Sequence, residues 1–215
     1  DTAAPAAPTG VTVTDDVAPV TGAIAANGAS NDNKPTFAGA AGSAEAGSTI
    51  TVMDGATVLG TAVVAADGSW SVTPTTALAD GAHSITTRAT DAAGNVSPVS
   101  PALALTVDTA APAAPAAPTS TAPSTNDNTP GIHIGVGLTD TPSLYVDGVK
   151  VPATYDPVTG MLTPTTPLAD GAHSITTTLT DAAGNESPQS AALPLTVDTA
   201  APAAPTGVTV TDDVA

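Results

Sequence analysis

Residues Leu78 to Pro115 return ninety positions later as Leu168 to Pro205, and of the 38 aligned positions only 88, 89, 96, 99, 101 and 104 differ. The ends of the chain echo one another too: DTAAPAAPTGVTVTDDVA at 1–18 recurs letter for letter at 198–215. A chain of near-copies is an array of modules, each folding by the rules of its sister. The period predicts one domain at 1–107 and a shorter variant domain at 108–197. Residues 198–215 are then the linker and first strand of a truncated third.

Within each module the punctuation is that of short strands. The chain has 21 prolines and 19 glycines, which disfavour helices because proline removes a donor and glycine costs backbone entropy. Val11 and Val13 alternate with threonine, and Asp15, Asp16 and Pro19 end that run before Val20–Ile24 resumes. Asn27 to Pro35 reads as a turn cluster. Phe37, Ile50 with Val52, Val58 to Val64, Trp70 with Val72, Ile85 with Thr87 and Ala89, and Leu103 with Leu105 and Val107 mark the later strands. Asp54-Gly55, Asp67-Gly68 and Asp147-Gly148 are tight-turn dipeptides. In the variant module a long strand is expected over Ile132, Ile134, Val136 and Leu138, and Met161 or Leu162 is expected to fill the place of Trp70. About seven strands with turns every eight to twelve residues predict an all-β fold of two tandem immunoglobulin-like β-sandwich domains, in an extended, end-to-end array. DTAAPAAPAAP at 108–118 spaces its prolines by three, the repeat of a semi-rigid polyproline II linker.

Charge narrows the partners. Twenty acids face only Lys34, Arg88 and Lys150, a net −17, so nucleic acid is repelled. No apolar run reaches membrane-spanning length, so no membrane insertion is expected in this segment. Cysteine is absent, which removes disulfide and thiol chemistry. The sequence starts and stops inside its own repeat and is expected to be an excerpt, with targeting signals elsewhere in the parent.

The acids themselves sit in turns. In a sandwich, turns alternate between two poles, which places the NDN turn at 31–33, the LADG turn and the exit at Asp108 at one pole, and Asp91, Asn95 and Glu45 at the other. Stacked modules would then gather Asn31, Asp32, Asn33, Asp80, Asp91 and Asp108, with their repeat equivalents Asp127, Asp170, Asp181 and Asp198, at the junctions. Oxygen ligands without basic neighbours suit a structural Ca²⁺, which takes six to eight of them. The competing reading is that Asp and Asn here close turns, because their side chains mimic backbone acceptors.

No catalytic constellation emerges. His83 and His173 are repeat equivalents, His133 stands alone, and no nucleophile–base pair or phosphate loop appears, so no enzyme is expected. A sugar- or peptide-binding module is the alternative, and with Phe37 and Trp70 in the core only Tyr145 and Tyr155 could serve it.

Taken together, VDTAAPAAP, NDNKPTFAG, LADGAHSITT, TDAAGN and VTDDVAPVTGAI resemble the bacterial immunoglobulin-like repeats of giant surface adhesins, in particular the biofilm-associated (Bap) family of Gram-negative bacteria. The resemblance spans essentially the whole chain. It implies an extracellular, outer-membrane-attached stalk for biofilm formation and cell adhesion, with calcium at the domain junctions. Its partners would be the neighbouring repeats of the same chain, and a host or biofilm-matrix ligand would be bound elsewhere in the parent.

Overall fold

The computed structural model describes residues 1–207, in which strands and turns form and no helix does. Two compact units emerge among the described residues: Asp1–Ala114 with Thr139–Thr141 and Leu179–Pro188, and Pro115–Leu138 with Pro142–Thr178 and the chain from Gln189 onward. The strand expected at the start of a third module runs into residues 208–215, outside the described residues.

The first module carries β1 (Thr12–Asp15), β2 (Gly22–Ala23), β3 (Ala29–Ser30), β4 (Thr36–Gly39), β5 (Thr49–Asp54), β6 (Thr57–Val63), β7 (Trp70–Val72), β8 (Gly81–Thr90) and β9 (Leu103–Val107). They form a sheet ordered β2-β1-β4-β7 and a second ordered β3-β9-β8-β5-β6. Alternation decides the facing. Ile85, Thr87 and Ala89 of β8 point inward while Arg88 is exposed; ninety residues later the threonine in its place, Thr178, is instead buried, so the two strands do not face alike at that position. Phe37, Ile50, Val52, Trp70, Ile85, Leu105 and Val107 meet in one core. Gly39 is required there, because a Cβ on it would land on the Trp70 indole.

Inside the turn cluster expected at 27–35 lies β3, two residues that pair in parallel with Thr106 and Val107. β9 is therefore flanked on both sides rather than forming an open edge. Its counterpart in the second module tolerates Pro194 because the matching two-residue strand reaches only Thr196 and Val197.

The second module carries β10 (Ser124–Thr125), β11 (Ile132–His133), β12 (Thr141–Val146), β13 (Val149–Val151), β14 (Ala153–Asp156), β15 (Met161–Pro164), β16 (Gly171–Thr180) and β17 (Leu193–Val197). They are ordered β10-β17-β16-β12-β13 and β11-β15-β14. The long strand expected from Ile132 to Leu138 stops at His133, since Gly135 and Gly137 turn to φ 107° and 67°, where no ladder continues. β14 is an element that the periodicity did not announce. Leu162 is buried among Ile132, Leu144, Ile175 and Leu195, while Met161 stays half-buried beside it. Along the linker, Pro112 and Pro115 are half-buried and Pro118 is buried, with exposed alanines between. That three-residue burial rhythm is the one a polyproline II edge would give.

Candidate functional site

One pole of the first module is built by side chains that close turns onto one another. Leu78 N–H donates to the Asn33 carbonyl at 2.8 Å, tying the LADG approach to the NDN turn. Asp80 Oδ1 accepts from the Thr109 amide at 3.1 Å and its hydroxyl at 2.9 Å, and Asp108 N–H reaches the Ser30 carbonyl at 3.0 Å. The NDN turn, the LADG turn and the exit at Asp108 thus share one pole. The second module repeats the pattern. Leu168 bonds to Asn128, Asp170 to Thr199 and Asp198 to Thr125, at 2.7, 2.9 and 2.9 Å.

The opposite end holds the DAAGN turn. Asp91 accepts from the Ala93 and Asn95 amides and from Asn95 Nδ2, all between 2.8 and 2.9 Å. The Asn95 side chain, first among these, holds the Asp91 carboxyl below its ordinary range. Asn95 Nδ2 also reaches the Asp1 carbonyl of the incoming linker at 3.3 Å. The second copy is alike: Asp181 is bound by Ala183 and Asn185, and Asn185 Nδ2 donates to the Asp108 carbonyl at 2.7 Å. Here the Asn–linker bond is shorter and part-buried, where that of Asn95 is exposed.

These bonds bear on the cation candidates. Asp80, Asp91, Asp108, Asp127, Asp170, Asp181 and Asp198 each accept backbone amides two to four residues away or from the next turn. Asn33 contributes its carbonyl. Among the described residues, no three His, Cys, Asp or Glu side chains stand together as a metal group. The exception to local saturation is the pair at 31 and 32. Asp32 is 3% exposed, its Oδ1 accepts the Lys34 amide, and its Oδ2 is buried with no partner, as is Asn31 Oδ1. Next to them Ser30 Oγ donates to Asp15 Oδ2 at 2.6 Å and accepts the Asp32 amide at 3.1 Å, with Asp15 itself only 5% exposed. Two buried acceptor oxygens that lack donors carry an unmet desolvation cost, which an oxygen-seeking cation would relieve. Asn31 and Asp32 are thus the sequence candidates that keep a buried side-chain oxygen free to accept. Asp15 was legible only as a strand breaker, since its partner Ser30 is fifteen residues away.

A second feature went unread in the sequence: the histidines are clamped by the tight turns. His83 Nδ1 lies 2.7 Å from Asp54 Oδ2 and its Nε2 2.7 Å from the Ala79 carbonyl, while Ser84 N–H donates to Asp54 Oδ1. His173 repeats this with Asp147 at 2.8 Å and Ala169 at 2.9 Å. With an acceptor on each nitrogen, the ring is satisfied only as imidazolium. Burial, the largest single influence on His83, opposes protonation, but Asp54 and the Ala79 carbonyl together raise it above the ordinary value. For His173 the Ala169 carbonyl leads and Asp147 adds to it, and Asp147 is lowered by the Ser174 amide and then by His173. Neither ring has a nitrogen left to act as a base. The signal was the recurrence of Asp-Gly and Gly-Ala-His in both modules.

The tyrosines are committed as well. Tyr155 packs at the second core and its hydroxyl donates to the Gly135 carbonyl at 2.9 Å. Tyr145 is half-buried with the Lys150 ammonium 5.9 Å above its ring.

Two two-layer, all-β modules of seven or more strands, joined by proline linkers and closed by the same polar turns, define a tandem immunoglobulin-like architecture. The sequence profile of the bacterial Ig-like domain matches residues 7–109 and 117–199, and the chain belongs to that family. No curated protein matches it. Among solved structures, the fibronectin(III)-like modules of Clostridium thermocellum CbhA superpose with a TM-score of 0.51 at 16% identity, covering 86% of this chain and 93% of that one. A Ca²⁺-stabilized adhesin with which an Antarctic bacterium binds ice gives 0.46 at 24%, covering 92% and 50%. The BSP domain of a biofilm-associated protein gives 0.28 at 21%, covering 82% and 30%.

Proposed function

We propose that these modules are spacers in the stalk of a secreted bacterial surface adhesin of the biofilm-associated (Bap) kind, extending a binding tip from the cell and stiffened at their junctions by calcium. The observation that carries the reading is the copying itself. Module-closing bonds such as Asp80–Thr109 and Asp170–Thr199 recur with the same atoms and distances, 2.9 Å from hydroxyl to carboxylate in both. Selection that repeats a closure at each linker, in a family of bacterial Ig-like domains, preserves a shape rather than a reaction. In this reading the receptor lies elsewhere in the parent, which is attached to the Gram-negative outer membrane.

The calcium part of the proposal is supported by the unpartnered Asn31 and Asp32 oxygens and by the −17 charge, which leaves acids with few cationic neighbours. A cation that binds only the folded, docked form stabilises it by mass action. The test is small-angle scattering and thermal melting of the whole chain in calcium, in magnesium and in chelator. Calcium should raise the melting temperature and narrow the distribution of interdomain angles. Magnesium should do so poorly, because its smaller shell demands stricter octahedral geometry. Unchanged scattering and melting in chelator would return the acids to turn formers.

A further inference from the structure

The first module has an open sheet edge that its sister lacks. β6 ends its five-stranded sheet with β5 as its one ladder partner, and β7 of the facing sheet packs beside it without pairing. Its seven residues, TVLGTAV, include no charge and no proline, and Val58 and Val63 are 55% and 69% exposed. An outer strand presents a row of unpaired N–H and C=O groups, and proteins ordinarily blunt such rows by shortening the strand, charging it or inserting proline. The second module does all three: β13 has three residues, carries Lys150 and runs into Pro152. The remaining outer strands, β2, β3, β7, β10, β11 and β14, have two to four residues. Among the described residues, β6 is the one long, uncharged edge.

We propose that β6 is a docking edge for β6 of a second copy of this chain, the two strands pairing antiparallel to extend the sheet from one molecule into the next. Charge selects the occupant. Two chains of net −17 repel wherever their acids face one another, and β6 is a stretch along which two copies meet with no carboxylate on either strand. A foreign peptide attracted by the acidic surface would be basic, and β6 offers it no acid to hold. Antiparallel self-pairing centred on Gly60 sets Thr57 against Val63, Val58 against Ala62 and Leu59 against Thr61, with the two Thr61 side chains as diagonal neighbours, contacts between β-branched and aliphatic side chains that suit a sheet. One such edge gives a weak contact. In a molecule with several modules of this kind, the second and later pairings become intramolecular and multiply it, joining neighbouring chains side by side. The inference does not depend on calcium.

Sedimentation velocity of the whole chain in chelator, over a concentration series reaching the millimolar range and at low and high salt, tests it. Reversible dimerisation is expected, strengthening with salt as the long-range repulsion is screened. Hydrogen exchange in β6 amides should slow as concentration rises. Thr61→Lys and Thr61→Glu, at an exposed position in mid-strand, should each weaken dimerisation by about tenfold or more through like-charge apposition, while an equal mixture of the two recovers it. Val63→Lys with Val63→Glu is the parallel pair should either Thr61 variant melt early. Three outcomes would overturn the proposal. They are a chain monomeric at every concentration and salt, dimerisation indifferent to both charged pairs, or slowed β6 exchange only on adding a basic synthetic peptide.

Discussion

His83 and Asp54 lie 29 residues apart in sequence and 2.7 Å apart in space, the imidazole of one strand closing the hairpin turn of another. His173 and Asp147 reproduce the bond at 2.8 Å. Both histidines have folded-state pKa values raised above the ordinary 6.5. A raised value means that the clamp's contribution is fully present below about 6.5 and is lost as pH rises through the higher folded value. Thermal melting in chelator should therefore show stability falling across that interval. His83→Gln with His173→Gln should flatten the pH dependence. A melting profile as steep in the double variant as in the parent would assign the dependence to other groups.

Thr87 and Thr177 occupy equivalent core positions, 0% and 1% exposed, and the hydroxyl of each is buried without a partner. Valine has the same shape and no polar atom to desolvate. Thr87→Val and Thr177→Val should each raise stability by about 1 kcal/mol, read as a higher urea midpoint with unchanged slope.

The SPVS and SPQS segments pin the long central strands. Ser97 Oγ accepts the Ala89 amide at 2.9 Å and Ser100 Oγ the Thr87 amide at 3.0 Å, with Ser187 and Ser190 doing the same for Leu179 and Thr177. Ser97→Ala leaves a buried strand amide unsatisfied and should cost about 1–3 kcal/mol in urea unfolding. Ser97→Thr, which keeps the hydroxyl, should recover part of that loss.

Asp32 and Asp127 are equivalent in sequence and different in setting. Asp32 is buried with a free carboxylate oxygen, whereas Asp127 is exposed and its Oδ1 serves Thr129. Asp32→Ala should abolish most of the calcium-induced rise in melting temperature, and Asp127→Ala should leave most of it. Equal losses in the two variants would locate the ion elsewhere.

Much of this fold was written in local pattern. Inward residues such as Ile85, Leu105 and Val107 followed from alternation, and the tight turns from Asp-Gly and DAAGN. What escaped was set by distant pairing. The two-residue strands β3 and β10 exist because β9 and β17 lend them a ladder, and no run of two residues announces itself. The strand after Ile132 failed because glycine permits a turn that hydrophobic alternation conceals. At the candidate site, the turn acids were legible as oxygen donors. Which of them keep a free oxygen depended on Ser30, Asp15 and Lys34 meeting in three dimensions.

The two linker clamps of the first module sit at opposite ends of β8: Asn95 holds Asp1 just beyond Thr90, and Asp80 holds Thr109 just before Gly81. Ten strand residues at roughly 3.3 Å each separate them by ~33 Å. A pull applied through the linkers would therefore run along the strands and load the β8–β9 ladder in shear, its hydrogen bonds strained together rather than opened one after another. A module loaded in that direction resists tension with its whole ladder at once, and yields abruptly rather than by degrees.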